Sequence, residues 1–248
     1  MKKVFGLIAS FGLVFSLIGS FSRSNAQESY TGPITEIAVR QLNQGQDIQA
    51  FEQARDSFVT LLKQQEGVSA DREFASFLDF ATFGAPEPAV FIGMTQYENL
   101  EAFMAAGEAL GKSEEAGAFF ATFNPKAFTA LRPLSSDDTY DLTAIASKAG
   151  QVLEVAVRDF SSYENFDQAD YAAKRDAFLA ELIQQEGVVA EYQWISVLDP
   201  NIAVGMTVYE SAEAFQRVAS SAFAQSEVAA MFAGAYPTVA GFASLDAR

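Results

Sequence analysis

The five residues Gln64-Gln65-Glu66-Gly67-Val68 return later in the chain as Gln184-Gln185-Glu186-Gly187-Val188. Around them, Glu36-Ile37-Ala38-Val39-Arg40 matches Glu154-Val155-Ala156-Val157-Arg158, and Arg55-Asp56-Ser57-Phe58 matches Arg175-Asp176-Ala177-Phe178. Further on, Gly93-Met94-Thr95-Gln96-Tyr97-Glu98 matches Gly205-Met206-Thr207-Val208-Tyr209-Glu210, and Pro125 matches Pro237. The spacing changes only between matched blocks, so the length differences fall in loops, where insertions cost little. The largest is the Phe80–Pro88 loop of the first copy, broken by Gly84, Pro86 and Pro88. A unit of roughly 100 residues is a duplicated domain, since solenoid repeats are much shorter. The chain therefore has to make one small fold twice.

Within each copy the pattern is regular. Thr35 to Leu42 alternates as a half-buried strand does, with Ile37 and Val39 on one face and Glu36, Ala38 and Arg40 on the other. Asp47 caps a helix whose stripe is Ile48, Phe51, Ala54, Phe58, Leu61 and Leu62, leaving Gln, Arg, Asp and Lys outside it. Gly67 and Gly187 then stand where each helix must stop, because glycine adopts the left-handed conformation without steric cost. Val68 and Val188 can fold back on Leu62 and Leu182. The repeated motif thus reads as a helix stop feeding a strand.

Two strands follow in each copy, Asp71 to Phe80 with Glu87 to Glu98, and Val189 to Leu198 with Ala203 to Tyr209. Asn99 and Ser211 cap a second helical region, which in the first copy breaks at Gly107 and Gly111 and resumes through Glu114. Final strands are expected at Lys126 to Leu131 and Thr238 to Leu245, after Pro125 and Pro237 close the helices. Each copy reads β-α-β-β-α-β, a ferredoxin-like unit with two helices on one sheet face. The expected division is residues 27–133 for the first unit, 134–150 for a linker and 151–248 for the second. A short helix is expected within the linker, from Leu142 to Lys148. The second strands are apolar on both sides, through Phe74, Ala75 and Phe77 and through Trp194, Ile195 and Val197. Two such sheets are therefore expected to pack face to face in one α+β molecule, and a monomer is expected.

The start of the chain differs in kind. Met1-Lys2-Lys3 is basic, Val4 to Phe21 is apolar with small residues, and Ser24-Asn25-Ala26 suits a signal peptidase. Residues 1–26 are expected to be a signal peptide, giving an exported, periplasmic or extracellular protein with no stable membrane association after cleavage. With no cysteine, such a protein relies on its cores alone. The net charge of -16 would repel a phosphate backbone, so nucleic acid is not an expected partner.

The element order, the Gln-Gln-Glu-Gly-Val helix stop and the segments Met94–Glu98 and Met206–Glu210 resemble the dimeric α+β barrel superfamily. The likeness is greatest to its antibiotic-biosynthesis-monooxygenase branch and covers nearly all of residues 34–132 and 152–245. It implies two ferredoxin-like repeats packed as an intramolecular barrel. Members of that superfamily include cofactor-free oxygenases, haem-degrading enzymes, haem peroxidases and proteins with no known reaction.

Histidine is absent, which removes Ser-His-Asp and Cys-His machinery, the usual metal ligand and the residue by which many haem-binding relatives hold iron. No glycine-rich phosphate loop or dinucleotide fingerprint occurs. No metal and no cofactor is therefore expected. The candidate chemistry lies in charged residues of the first strands. If Ile37, Val39, Val155 and Val157 face the helices, then Glu36, Arg40, Glu154 and Arg158 face the barrel interior. There they would serve a substrate, or form interior ion pairs that tie the copies together. Tyr192 and Trp194 share a strand face with Ser196 and offer an aromatic wall, where the first copy has Arg72, Phe74 and Ser76. Glu154 and Arg158 are the catalytic candidates, with Glu36, Arg40, Tyr192 and Trp194 as ligand-binding candidates. Three readings stay open: a barrel binding a small apolar or aromatic ligand between its sheets, a cofactor-independent monooxygenase acting on an aromatic substrate, and a non-catalytic partner-binding module. A filled interior would favour the last.

Overall fold

The computed structural model describes residues 30–247; the expected signal segment 1–26 lies outside them. The first half runs β1 (Ile34–Leu42), α1 (Ile48–Leu62), β2 (Val68–Asp79), β3 (Val90–Tyr97), α2 (Leu100–Leu110), α3 (Glu114–Phe120) and β4 (Phe123–Pro133). The second runs β5 (Val152–Asp159), α4 (Gln168–Leu182), β6 (Val188–Ser196), β7 (Ile202–Tyr209), α5 (Ala212–Ala219), α6 (Glu227–Ala235) and β8 (Ala240–Asp246). The expected helix caps form, whereas β4 begins at Phe123, ahead of Pro125, and α2 runs through Gly107 without the expected break. The side chains of Asp47, Asn99 and Ser211 accept hydrogen bonds from the backbone N–H of Ala50, Ala102 and Ala214.

The repeated glycines end their helices at φ +79° for Gly67 and +92° for Gly187. Their carbonyls accept from the N–H of Glu98 and Glu210, so each stop is pinned to the end of the neighbouring strand. A Cβ on Gly67 would lie 2.5 Å from the Cβ of Ala102. Both the backbone and the packing therefore oppose a side chain here. Gly67→Ala should cost about 2 kcal/mol in urea unfolding, from left-handed strain plus the clash; a loss below about 0.5 kcal/mol would contradict this account.

Eight antiparallel strands close into a barrel in the order β1-β3-β2-β8-β5-β7-β6-β4. The two sheets face each other, as expected, and also hydrogen-bond edge to edge at two seams. One seam pairs β2 with β8 from Phe74↔Asp246 to Asp79↔Phe242, and the other pairs β4 with β6 from Leu131↔Ser196 to Pro133↔Trp194. Hydroxyl pairs bridge them, Ser76 with Ser244 at 2.9 Å and Thr129 with Ser196 at 2.5 Å. Pro125 lies inside β4, opposite Arg40 at a bulge, where its missing N–H is tolerated.

The barrel interior corrects the expected facing of the strands. Ile37, Val39, Ile92, Met94, Val155, Val157, Val204 and Met206 point inward and fill it together with Phe74, Trp194 and Phe242. The linker completes the filling. It forms turns where a helix was expected, and it inserts Leu142, Ile145 and Ala146 into the same core. Gln96 holds it by donating to the Tyr140 carbonyl (2.6 Å) and accepting from the Leu142 N–H (3.3 Å). Arg72 adds bonds to the carbonyls of Ile145 and Ala146. Among the described residues the space between the sheets is filled by these side chains and by the linker, the outcome that favours the partner-binding reading of the interior over the ligand-binding one.

Candidate functional site

Because Ile37 and Val39 face inward, the alternation of β1 turns Glu36, Ala38 and Arg40 toward the helices. They meet Asp71 and Glu73 of β2, Thr95 and Tyr97 of β3, and the underside of α1, α2 and α3. The Tyr97 hydroxyl donates to Glu36 Oε2 at 3.0 Å. Burial pushes the Glu36 carboxyl up to about 7, against the opposing pull of that hydrogen bond and of Arg40. Beside this pair lies an ion cluster. Arg40 Nη1 reaches Glu73 Oε2 at 3.1 Å, Arg55 Nε also bonds Glu73, and Arg55 Nη2 reaches Asp71 Oδ2 at 3.3 Å. Burial, partly offset by Arg55, raises the Asp71 carboxyl as well. Arg40 stacks over Phe119, its guanidinium carbon 5.0 Å from the ring centre. It lies so close to β3 that a Cβ on Gly93 would fall 1.3 Å from its Nη2.

Glu36, Arg40, Asp71, Thr95 and Tyr97 form one end of a cavity of about 40 Å³ whose other walls are apolar, including Phe58, Phe103, Phe119, Phe120 and Phe128. That volume accommodates water-sized contents only. A larger guest would have to displace a wall; Phe120, at the end of the short helix α3, is partly exposed and packs against Phe58, Phe119 and Phe123.

The Glu36 environment has a pH consequence. A carboxyl held above its ordinary value of 4.5 binds its proton more tightly in the folded state. Its stabilisation is fully present below 4.5 and is lost as pH rises through about 7. Urea unfolding should show stability falling by on the order of 3 kcal/mol between pH 4.5 and 7.5 from this group, and Glu36→Gln should remove that share of the slope.

The second half repeats the frame with different chemistry. The Tyr209 hydroxyl donates to Glu154 Oε2 at 2.6 Å, and burial raises the Glu154 carboxyl. Arg158 Nε donates to the Tyr236 carbonyl at 3.0 Å, and its guanidinium sits 4.6 Å above the Phe232 ring. The counterpart of Glu73 is Gln193, whose Nε2 donates to Glu191 Oε1 at 2.6 Å. The counterpart of Arg55 is Arg175, which pairs with its neighbour Asp176 at 2.6 Å. An aromatic cluster of Phe160, Tyr171, Phe232 and Tyr236 fills the space beneath these helices.

Neither a family model nor a curated protein sequence matches the chain. Solved structures do. A candidate monooxygenase from Fusobacterium nucleatum subsp. nucleatum aligns with a TM-score of 0.55 at 10% identity, over 88% of this chain and 94% of that one. An anthrone oxidase-like protein aligns at 0.55 and 12% identity, over 90% and 93%. A mutant chlorite dismutase from Candidatus Nitrospira defluvii aligns at 0.55 and 12%, over 90% and 95%. Each match runs through both halves. The fold is the dimeric α+β barrel. At these identities the likeness is one of architecture.

In this dimeric α+β barrel the residues singled out from sequence are divided by the sheet. Glu36 and Arg40 come together beneath α1–α3, and Glu154 and Arg158 beneath α4–α6. Tyr192 and Trp194 lie on the opposite, inner face, where Tyr140 packs on both at 5.0 and 4.7 Å between ring centres. The sheet thus separates Glu154 and Arg158 from Tyr192 and Trp194. Sequence reasoning missed Arg55, Asp71, Glu73, Glu191 and Gln193. One signal was available: Arg55 is spaced four residues from both Phe51 and Val59, on the buried stripe of α1, whereas Ile48 at the helix start is 47% exposed. Among the described residues no group of three or more His, Cys, Asp or Glu side chains is placed to hold a metal ion. No described helix is long and apolar enough to cross a membrane.

Proposed function

We propose that the helix-covered pocket of the first half binds a small aromatic molecule carrying an acidic hydroxyl. The observation behind this reading is the pairing of Glu36 with Tyr97 at the polar end of a phenylalanine-walled cavity. The rings supply stacking surface, while the carboxyl and phenol fix the polar end of a guest. Entry requires Phe120 to move, so binding should be slow and coupled to local ordering of α3. The test is titration with a panel of simple phenols and naphthols, followed by protein NMR. Glu36→Gln and Tyr97→Phe should each weaken binding at least tenfold while the fold is retained. A panel that leaves the resonances of the Phe120 region unmoved would sink the reading.

Cofactor-independent oxygenation is the second reading, and a specific feature favours it. A carboxyl poised at about 7 is suited to take a proton from a phenol or an enolisable ketone at neutral pH. The resulting anion, being electron-rich, is what such chemistry offers to oxygen. Two structurally similar proteins bear oxidative descriptions, which is compatible with this reading but shows only the shared fold. If it is right, oxygen uptake with an active phenol should rise as pH rises through about 7, because the ionised carboxylate is the working form. Glu36→Gln should abolish that rise. Binding without oxygen uptake across the panel would leave the ligand-binding reading alone.

Export remains part of the same proposal, resting on Lys2, Lys3, the apolar run to Phe21 and Ser24-Asn25-Ala26. N-terminal sequencing of the secreted protein should begin at Gln27.

A further inference from the structure

The two halves differ in how the second strand of each is charged. In the first half the Arg55 guanidinium lies between Asp71 and Glu73 and closes the space beside β2. Its second-half equivalents are Arg175, Glu191 and Gln193. Gln193 offers no charge, and Arg175 pairs with Asp176, as Arg55 also does with Asp56, while it stacks over Tyr171 at 5.5 Å. Glu191 keeps the position of Asp71, and among the described residues it accepts from the Gln193 amide while Arg158 and Arg175 act on it electrostatically. Beside Glu191 the second half has a groove of about 440 Å³, with Arg175 on its wall instead of wedged between two carboxylates as Arg55 is. Its walls include Tyr140 of the linker, Leu179 and Ile183 of α4, and Glu191, Gln193 and Arg175. Ile183 is 53% exposed, an uncommon state for a residue of this size facing a concave surface. One wall is made by the linker that joins the two halves.

We infer that this groove binds a small organic monocation, a guanidinium, amidinium or amine on an apolar or aromatic stem. Its charged head takes the place at Glu191 that Arg55 takes at Asp71 and Glu73, and its stem lies along Leu179, Ile183 and Tyr140. The mode of recognition is displayed by the protein itself in its other half. The strongly acidic character of the whole chain draws such a cation in.

The site also predicts how binding is linked to protons. Burial pushes the Glu191 carboxyl up to about 8, so it is largely protonated at neutral pH. The charged and titratable groups around it are Glu154 and Arg158 of β5, Arg175 and Tyr171 of α4, Tyr209 of β7 and Tyr140 of the linker, with Asp138 and Asp176 at the groove rim. A bound cation favours the carboxylate, so binding should release a proton and strengthen as pH rises through about 8.

Benzamidine hydrochloride is a suitable probe for titration calorimetry on the full chain. One equivalent should bind, with a heat that varies with the ionisation enthalpy of the buffer at pH 7 and ceases to vary at pH 9.5. Affinity should rise several-fold between those pH values. Glu191→Gln should weaken binding at least tenfold and remove the proton release. Should that variant fail to fold, the Gln193 side-chain amide resonance of the unaltered protein serves instead, and it should shift first and saturate with the calorimetric curve. No binding, or binding indifferent to Glu191 and without proton release, overturns the proposal. Because the groove lies in the second half, either outcome is independent of the phenol titrations at Glu36.

Discussion

Glu73→Ala should destabilise the protein by about 3 kcal/mol or more, measured by urea unfolding followed by far-ultraviolet circular dichroism. Glu73 is 3% exposed and accepts from both Arg40 and Arg55, themselves 7% and 4% exposed. Removing it leaves one buried guanidinium, Arg40, without its carboxylate, and the other with Asp71 and the exposed Asp56 alone. The expected loss comes mainly from those stranded charges, not from the attraction forfeited. Against a domain stability of roughly 5–15 kcal/mol this is a large fraction. Glu73→Gln should cost distinctly less, because the second half carries glutamine at this place and its arginine has settled on the neighbouring aspartate. Equal costs for the two substitutions, or a loss below about 1 kcal/mol for alanine, would falsify the reading of Glu73 as the hub of the cluster.

Trp194→Ala should be comparably damaging, at about 3–5 kcal/mol, through the cavity it leaves. The indole is 1% exposed, fills the barrel interior beside the β4–β6 seam and carries the linker through Tyr140. Among the described residues its Nε1 meets no hydrogen-bond partner. Trp194→Phe removes that donor along with some volume and should cost less than half as much as alanine. Since this is the single tryptophan of the chain, the alanine variant has to be followed by circular dichroism. If alanine and phenylalanine behaved alike near zero, the interior would not be packed as described.

How far the sequence foretells this molecule depends on what each residue had to decide. Gly67 and Gly187 could be read because a helix stop is a local event, and only glycine serves it cheaply. The caps at Asp47, Asn99 and Ser211 were legible for the same reason. Which way β1 faces was not. Alternation tells that Ile37 and Val39 share a side, but both sides of this sheet are covered, so period alone does not assign the inner one. Reversing that single choice moves Glu36 and Arg40 from a supposed central chamber to the helix-covered pocket, and parts Glu154 and Arg158 from Tyr192 and Trp194. The linker was opaque for another reason: Leu142, Ile145 and Ala146 plug an opening that exists only once both halves have closed. The ion cluster combines residues from three elements, and only the placement of Arg55 on the buried stripe of α1 hinted at it.

The seams carry a consequence for how such a molecule can change over time. When two identical subunits build a barrel, any substitution strikes both sites at once and must be tolerated twice. Here one polypeptide supplies both edges of each seam, so a substitution reaches one side only. Glutamate at 73 in one half and glutamine at the equivalent 193 in the other are a difference that two identical subunits could not carry.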